Sequence, residues 1–378
     1  MNKKLKIISI LGTRPEFIKM SEVIKKLDIF YNHILINTNQ NFEYELNKIF
    51  FEDLNIRRPD YNFEKIKEKT SITKISSNLV EFEKICKKEN PDSIVVLGDT
   101  NSTLVVYVAK RLKIPIFHIE AGNRCFDERV PEEINRKIVD HLSDINFVYS
   151  DLAKNYLLKE NFNPQKVVKV GSPMLEIYKR NLNKIKKSKV LKNFKLRKKK
   201  YFLISFHREE HLDNKKKLSS FFKLIDLLDN NYKLDIVIST HYKLRDRIND
   251  MKKNFKSNKI KFLKPFSYSD YCNLMLNSFV VLSDSGTINE EASIMSINAI
   301  NLRESHERPE ADEEAVVPIS GLDLNLILNQ IEMTKKLKKS KIVRDYNVEN
   351  FSEKIVKLIG GFVNKINDDV WKKFHAKY

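Results

Sequence analysis

The sequence predicts an α/β protein built of two Rossmann-like domains that face each other across a cleft. Three observations carry that expectation. Short runs rich in Ile, Val and Leu alternate with stretches of helical periodicity along most of the chain. The runs are continuously apolar instead of alternating, which marks strands covered on both faces and hence parallel sheets. The pattern breaks at a basic stretch, Lys184–Lys200, and then restarts, and 378 residues exceed what one ordinary core serves.

In the first half the expected strands are Leu5–Leu11, His33–Asn37, Ser93–Leu97, Ile114–Ile119 and Ile145–Tyr149. Helical patterns lie between them at Glu16–Leu27, Tyr44–Leu54, Ile72–Lys88, Ser102–Leu112 and Glu132–Leu142. In the second half the strands are Tyr201–Phe206, Leu234–Thr240, Ile260–Leu263, Phe279–Ser283 and Ala299–Leu302, again with helices between. This places the domains at residues 1–170 and 171–355, with a basic helix over 356–378 packing back on one of them.

The start imitates a signal peptide, with a basic head before Ile7–Leu11. That apolar part is too short, however, and a Gly-Thr-Arg turn follows it, so it reads as a first buried strand. No apolar run reaches the length of a membrane helix, so membrane insertion is not expected. Cys86, Cys125 and Cys272 are scattered without CxxC spacing, which argues for a reducing, cytoplasmic setting and against structural zinc. The formal charge of +19 raises the possibility of a nucleic-acid partner. Ten of the seventeen residues in Lys184–Lys200 are basic, but the stretch reads as a surface helix and linker, and the chain shows no aromatic-basic interleaving pattern, so no nucleic acid is expected.

In parallel sheets, ligands gather beyond the carboxyl ends of strands. After the first strand comes Gly12-Thr13-Arg14-Pro15-Glu16, where a tight turn, proline at a helix start and exposed amides suit an anion. Gly98-Asp99-Thr100 follows another strand, and His118-Ile119-Glu120-Ala121-Gly122 lies at the next strand's end, with Glu132 and Glu133 beyond. Carboxylates packed together resist simultaneous ionisation, so at least one of them should have a raised pKa and carry a proton near neutrality. Taken singly, Asp99 and Glu132 also fit helix capping. Magnesium is a rival use of the same acids, although the histidines lack metal-ligand spacing. In the second half His207 follows one strand, and Ser285-Gly286-Thr287 follows another at a helix start, a seat for a diphosphate with Glu290 and Glu291 one turn on for ribose hydroxyls. No GxGxxG, GxxxxGK[ST] or GxSxG motif occurs.

Seven segments appear in order: GTRPEFIKM (Gly12–Met20), GDTNSTL (Gly98–Leu104), HIEAG (His118–Gly122), VPEEINRKIVDH (Val130–His141), HREE (His207–Glu210), SDSGTINEEA (Ser283–Ala292) and ERPEA (Glu307–Ala311). Together they resemble the non-hydrolysing UDP-N-acetylglucosamine 2-epimerase family over nearly the whole chain. The resemblance implies a glycosyltransferase-B architecture and inversion at carbon 2 of a UDP-2-acetamido sugar, with neither NAD nor metal. It implies catalytic roles for Asp99, Glu120 and Glu132, assistance from Arg14, Lys19 and His207, and UDP contacts by Ser285, Gly286, Glu291 and Arg308. Tyr271 sits where the family places an aromatic against uracil. A homodimer is the family tendency. Gln40 and His241 fall in the region of the family's effector site.

Where common members have a GLRTGD-like segment, this chain has Gly122-Asn123-Arg124-Cys125-Phe126-Asp127. With Gly171–Met174 and Asn37–Tyr61, that looks like the branch acting on UDP-2-acetamido-2,6-dideoxy-L-talose, whose members yield UDP-N-acetyl-L-fucosamine for capsule or O-antigen. Cys125 and Phe126 would suit a sugar whose methyl replaces a hydroxyl. UDP-N-acetylglucosamine is the alternative substrate. A glycosyltransferase of the same architecture and a basic nucleotide-binding protein are the more distant readings.

Overall fold

The computed structural model describes residues 4–40, 48–64, 70–212, 214–240, 255, 257–337 and 340–373. His241 and the first part of the expected Tyr44–Leu54 helix lie outside them. The chain forms two compact units, Met1–Lys179 with Val348–Tyr378, and Arg180–Asn347.

Unit 1 is a seven-stranded parallel sheet of β1 (Lys6–Leu11), β2 (Asn32–Asn37), β3 (Tyr61–Asn62), β4 (Ser93–Leu97), β5 (Ile116–Ala121), β6 (Ile145–Val148) and β7 (Val167–Lys169). Their order is β3-β2-β1-β4-β5-β6-β7. The chain thus winds outward from β1 in one direction and, after β3, crosses to start again at β4. The crevice between β1 and β4 is the point where such a sheet offers a ligand site. Unit 2 repeats the scheme with β8 (Tyr201–Phe206), β9 (Asp235–Thr240), β10 (Ile260–Leu263), β11 (Val280–Ser283) and β12 (Ala299–Asn301), ordered β10-β9-β8-β11-β12. Its switch point lies between β8 and β11. The α/β class with two parallel sheets agrees with the expectation.

The central strands are the long apolar runs, and β4 is buried at all five positions. The two strands absent from the sequence reading, β3 and β7, are edge strands of two and three residues. At that length a strand has no apolar run to show. The expected Ser102–Leu112 helix opens as a 3₁₀ segment, Asn101–Val105, before the α-helix Val106–Arg111. Thr100 caps it, accepting from the Ser102 amide at 3.3 Å.

The units part at Lys179/Arg180 and Asn347/Val348, where the sequence suggested 170/171 and 355/356. The reason is packing around the last helix, Phe351–Asp369. Glu176 accepts from the Ser352 amide at 2.8 Å and its hydroxyl at 2.6 Å. The Tyr31 hydroxyl donates to the Val356 carbonyl at 2.7 Å. Both the end of the crossover and the final helix therefore belong to unit 1. Among the described residues no helix is long and apolar enough to cross a membrane.

Candidate active site

On unit 1 the expected acids collect at the ends of β4 and β5. Glu120 lies inside β5 at a register shift between Ile119 and Ala121, with φ of +71°. A left-handed backbone is costly for a residue with a Cβ, and a bulge of this kind re-aims a side chain. The carboxylate reaches toward Gly98, whose own φ is +76° and where an added Cβ would lie 3.7 Å from Glu120 Oε2. Lys19, from the helix Arg14–Phe30, donates to both Glu120 oxygens at 2.7 Å. Neither side chain is more than 10% exposed, so losing one partner leaves the other's charge largely out of water.

Asp99 is held by Arg136, whose Nη2 and Nε lie 2.6 and 3.0 Å from Asp99 Oδ2. Arg136 also meets Glu133 at 2.5 Å. Glu133 is fully buried and accepts from the Cys125 and Phe126 amides at 3.1 and 3.2 Å. Burial would raise its carboxyl, but the Cys125 amide and thiol and Arg136 hold it below the usual carboxylate range. Its neighbour Glu132 is half-buried in the first turn of the helix Pro131–Leu142. The paired glutamates therefore divide, Glu133 bracing the loop and Glu132 standing nearer the surface.

The first-strand loop differs from the anion cradle the sequence suggested. The Gly12 and Thr13 amides already donate to Glu16 Oε2 at 2.6 and 2.7 Å, and Thr100 donates to Glu16 Oε1 at 2.6 Å. Glu16 is the carboxyl that burial raises, to about 7, against the pull of those donors. The sequence reading expected a raised carboxyl among the acids after β4 and β5; Glu16 lies outside that group and is absent from the site prediction. Arg14 lies over the Phe50 ring at 4.8 Å and belongs to unit 1, while the other expected UDP ligands belong to unit 2.

Asn123–Phe126, the expected specificity segment, is largely braced. Arg124 is buried and clamps Glu160 through two bonds of 2.7 Å and Asp140 through one of 2.7 Å. Cys125 Sγ lies 3.3 Å from Glu133. Phe126 is 71% exposed, edge-on to Tyr156.

On unit 2, His207 follows β8 and Ser285 follows β11, on the two strands that flank the switch point. Asp284 is wholly buried and accepts from the His207 and Arg208 amides at 3.0 Å each. The imidazoles of His207 and His211 approach it at 2.9 and 3.1 Å. Burial would raise this carboxyl, but the two imidazoles hold it well below the usual range. The Ser285 hydroxyl meets Thr287 Oγ1 at 3.0 Å. A Cβ on Gly286 would lie 2.9 Å from Glu307, 3.5 Å from Arg208 and 3.8 Å from Arg303, so the glycine sits against two guanidinium groups. Arginine forks beside a glycine at a helix start suit a diphosphate. Glu291 and Tyr271 are buried, at 8% and 7% exposure. Arg308 is 1% exposed and spends its guanidinium on Glu290, at 3.1 Å, and on the Glu307 carbonyl. It braces the helix Ile288–Met295 that carries Glu291.

Arg136, Glu133, Glu16, Asp284, Arg208 and Arg303 were missing from the expected set. The i,i+3 spacing of Glu133 and Arg136 was a visible signal. The pairing of Asp284 with His207, 77 residues apart, was not. No group of three or more His, Cys, Asp or Glu among the described residues is arranged to hold a metal ion.

Residues 25–360 match the family model described as UDP-N-acetylglucosamine 2-epimerase. A protein of that name from Methanococcus maripaludis is 37% identical over 343 residues, covering 88% of this chain and 92% of its own. The structure of UDP-N-acetylglucosamine 2-epimerase from Rickettsia bellii matches with a TM-score of 0.89 at 42% identity, over 97% of this chain and 99% of the other. The Methanocaldococcus jannaschii enzyme, solved in complex with UDP-GlcNAc and UDP, matches with a TM-score of 0.88 at 35% identity, over 94% of this chain and all of the other.

Proposed function

Because the chain belongs to the UDP-N-acetylglucosamine 2-epimerase family, whose members are non-hydrolysing isomerases, we propose that it inverts carbon 2 of a UDP-2-acetamido sugar. UDP leaves carbon 1 with the electron pair of the C–O bond as a base removes the carbon-2 proton, giving a glycal-type intermediate. UDP then re-adds at carbon 1 and a proton arrives at carbon 2 from the opposite face. The chemistry needs a group for each face and cations for the departing diphosphate. The observation that carries the reading is the pair of acids at adjacent strand ends, Asp99 on Arg136 and Glu120 on Lys19. Glu132 completes the proton-handling set with Lys19 and His207, and Arg14 assists the diphosphate. On unit 2, Ser285, Gly286 and Glu291 hold UDP with Tyr271 against the base, and Arg208 and Arg303 add charge.

The names of the relatives support UDP-N-acetylglucosamine as substrate. The 6-deoxy-L-talose sugar is supported by Cys125 and Phe126, the latter projecting from the site's loop. Incubation of the purified protein with each sugar in D2O tests both. Epimerisation places one deuterium at carbon 2 and conserves the UDP-sugar without added cofactor. Irreversible UDP release that requires an acceptor would instead identify a transferase.

A homodimer forms through unit 1. Tyr107, Ile134 and Ile138 are 55%, 50% and 42% exposed on two helices packed side by side, and Ile72 and Val80 are exposed on the helix Ser71–Glu89 beside them. An apolar face of this kind needs a partner, and Ile134→Glu with Ile138→Glu should leave a monomer in light scattering.

A further inference from the structure

Asp284 is the buried titratable group whose role the proposed reaction leaves open. It follows β11, and its own amide donates to the Ser205 carbonyl of β8 at 3.1 Å. Its Oδ2 accepts from the His207 amide at 3.0 Å, the Arg208 amide at 3.0 Å and His211 Nδ1 at 3.1 Å. Its Oδ1 faces His207 Nδ1 at 2.9 Å. An ionised carboxylate is an acceptor only. With the carboxylate oxygen at 2.9 Å and the Ser205 hydroxyl at 3.5 Å from Nδ1, the nearer and charged acceptor favours the proton of a neutral His207 on Nδ1, which leaves Nε2 as the acceptor on the far edge of the ring. The His207 side chain is 39% exposed, so packing alone does not fix its rotation.

We propose that Asp284 is a positioning residue for the epimerisation. It locks His207 in the Nδ1–H tautomer with Nε2 presented to the substrate as a proton acceptor, and through the Arg208 amide it sets that arginine beside Gly286. The proposal rests on the reading of His207 as a site residue of a UDP-sugar 2-epimerase.

Asp284→Asn separates this role from a structural one. The position of Oδ2 receives two backbone amides, so the asparagine oxygen takes that place and its NH2 group falls opposite His207 Nδ1. The two backbone bonds to the Oδ2 position survive, the longer His207 amide contact to Oδ1 at 3.2 Å is given up, and the tautomer inverts, which costs an Asp–His pair catalysis heavily. Turnover should fall on the order of 100-fold or more, with UDP affinity within about threefold of the parent protein. Nitrogen-15 spectra of labelled histidine should show the neutral His207 proton on Nδ1 in the parent and on Nε2 in the variant. The parent spectrum decides the matter even if the variant does not fold, because a proton found on Nε2 there overturns the proposal. A folded variant with an inverted tautomer and parental turnover also overturns it. His207→Asn is run alongside. If it is impaired while Asp284→Asn is not, the positioning role fails. If His207→Asn itself turns over normally, the assignment of His207 fails first and takes the proposal with it.

Discussion

Glu16→Gln tests the electrostatics of the first-strand loop most directly. Glu16 is 2% exposed, and its carboxyl stands at about 7 in place of 4.5. A folded-state value above the unfolded one means that the native protein holds the proton more tightly. Stability is therefore lost as pH rises from about 4.5 through about 7, and the loss levels off above that. At 1.36 kcal/mol per unit, the full difference is about 3 kcal/mol, of which roughly 2–3 kcal/mol falls between about pH 5 and about pH 8. Glutamine has nearly the same shape, accepts from the Gly12 and Thr13 amides through its oxygen and turns its NH2 group toward Thr100. It mimics the protonated acid and does not titrate. The variant should match the parent near about pH 5 and exceed its stability by roughly 2–3 kcal/mol near about pH 8. The chain's single tryptophan, Trp371, lies in unit 1 beside Lys110, so its fluorescence in urea reports this unit's unfolding. A stability difference that is flat with pH, or that favours the parent at alkaline pH, would refute the reasoning.

Other outcomes follow from the same geometry. Asp99→Asn, Glu120→Gln and Glu132→Gln should each depress turnover far more than UDP affinity. Ser285→Ala and Glu291→Ala should mainly weaken UDP binding in calorimetry, and near-normal turnover of Glu120→Gln would remove that residue from the mechanism. Lys19→Met removes the ammonium that faces both Glu120 oxygens and should cost roughly 3–5 kcal/mol in urea unfolding. Adding Glu120→Gln to it should restore much of that loss, because the carboxylate charge is then removed as well. In the last helix, Gly361→Ala meets nothing within 4 Å and should stabilise by about 0.5–1 kcal/mol through helix propensity. Gly360→Ala should not, since its Cβ would lie 2.7 Å from the Tyr31 hydroxyl that bonds Val356.

Much of the molecule was legible in the chain because its signals are local. Central strands announce themselves as buried runs, as Ser93–Leu97 does, and loops after them carry the family's segments in order. That was enough for the α/β class, the two parallel sheets and the placement of Asp99, Glu120 and His207 at strand ends. Edge strands of two or three residues carry no such run, and β3 and β7 passed unseen.

What the tertiary structure alone decided is which charge each group meets. Glu132 and Glu133 are adjacent and alike in sequence, but helix geometry turns one inward onto Arg136 and the loop amides and leaves the other half-buried. Glu16 is only the last residue of the segment after the first strand in the sequence; Thr100, 84 residues away, and the surrounding core remove it from water. The pairing of Arg308 with Glu290, 18 residues away in the chain, is likewise set by folding. Electrostatic energies depend on distance and on solvent exclusion, and both are set by segments far apart in the chain. Residue types and their order at strand ends belong to the sequence by itself; protonation, ion pairing and ring orientation come only with folding.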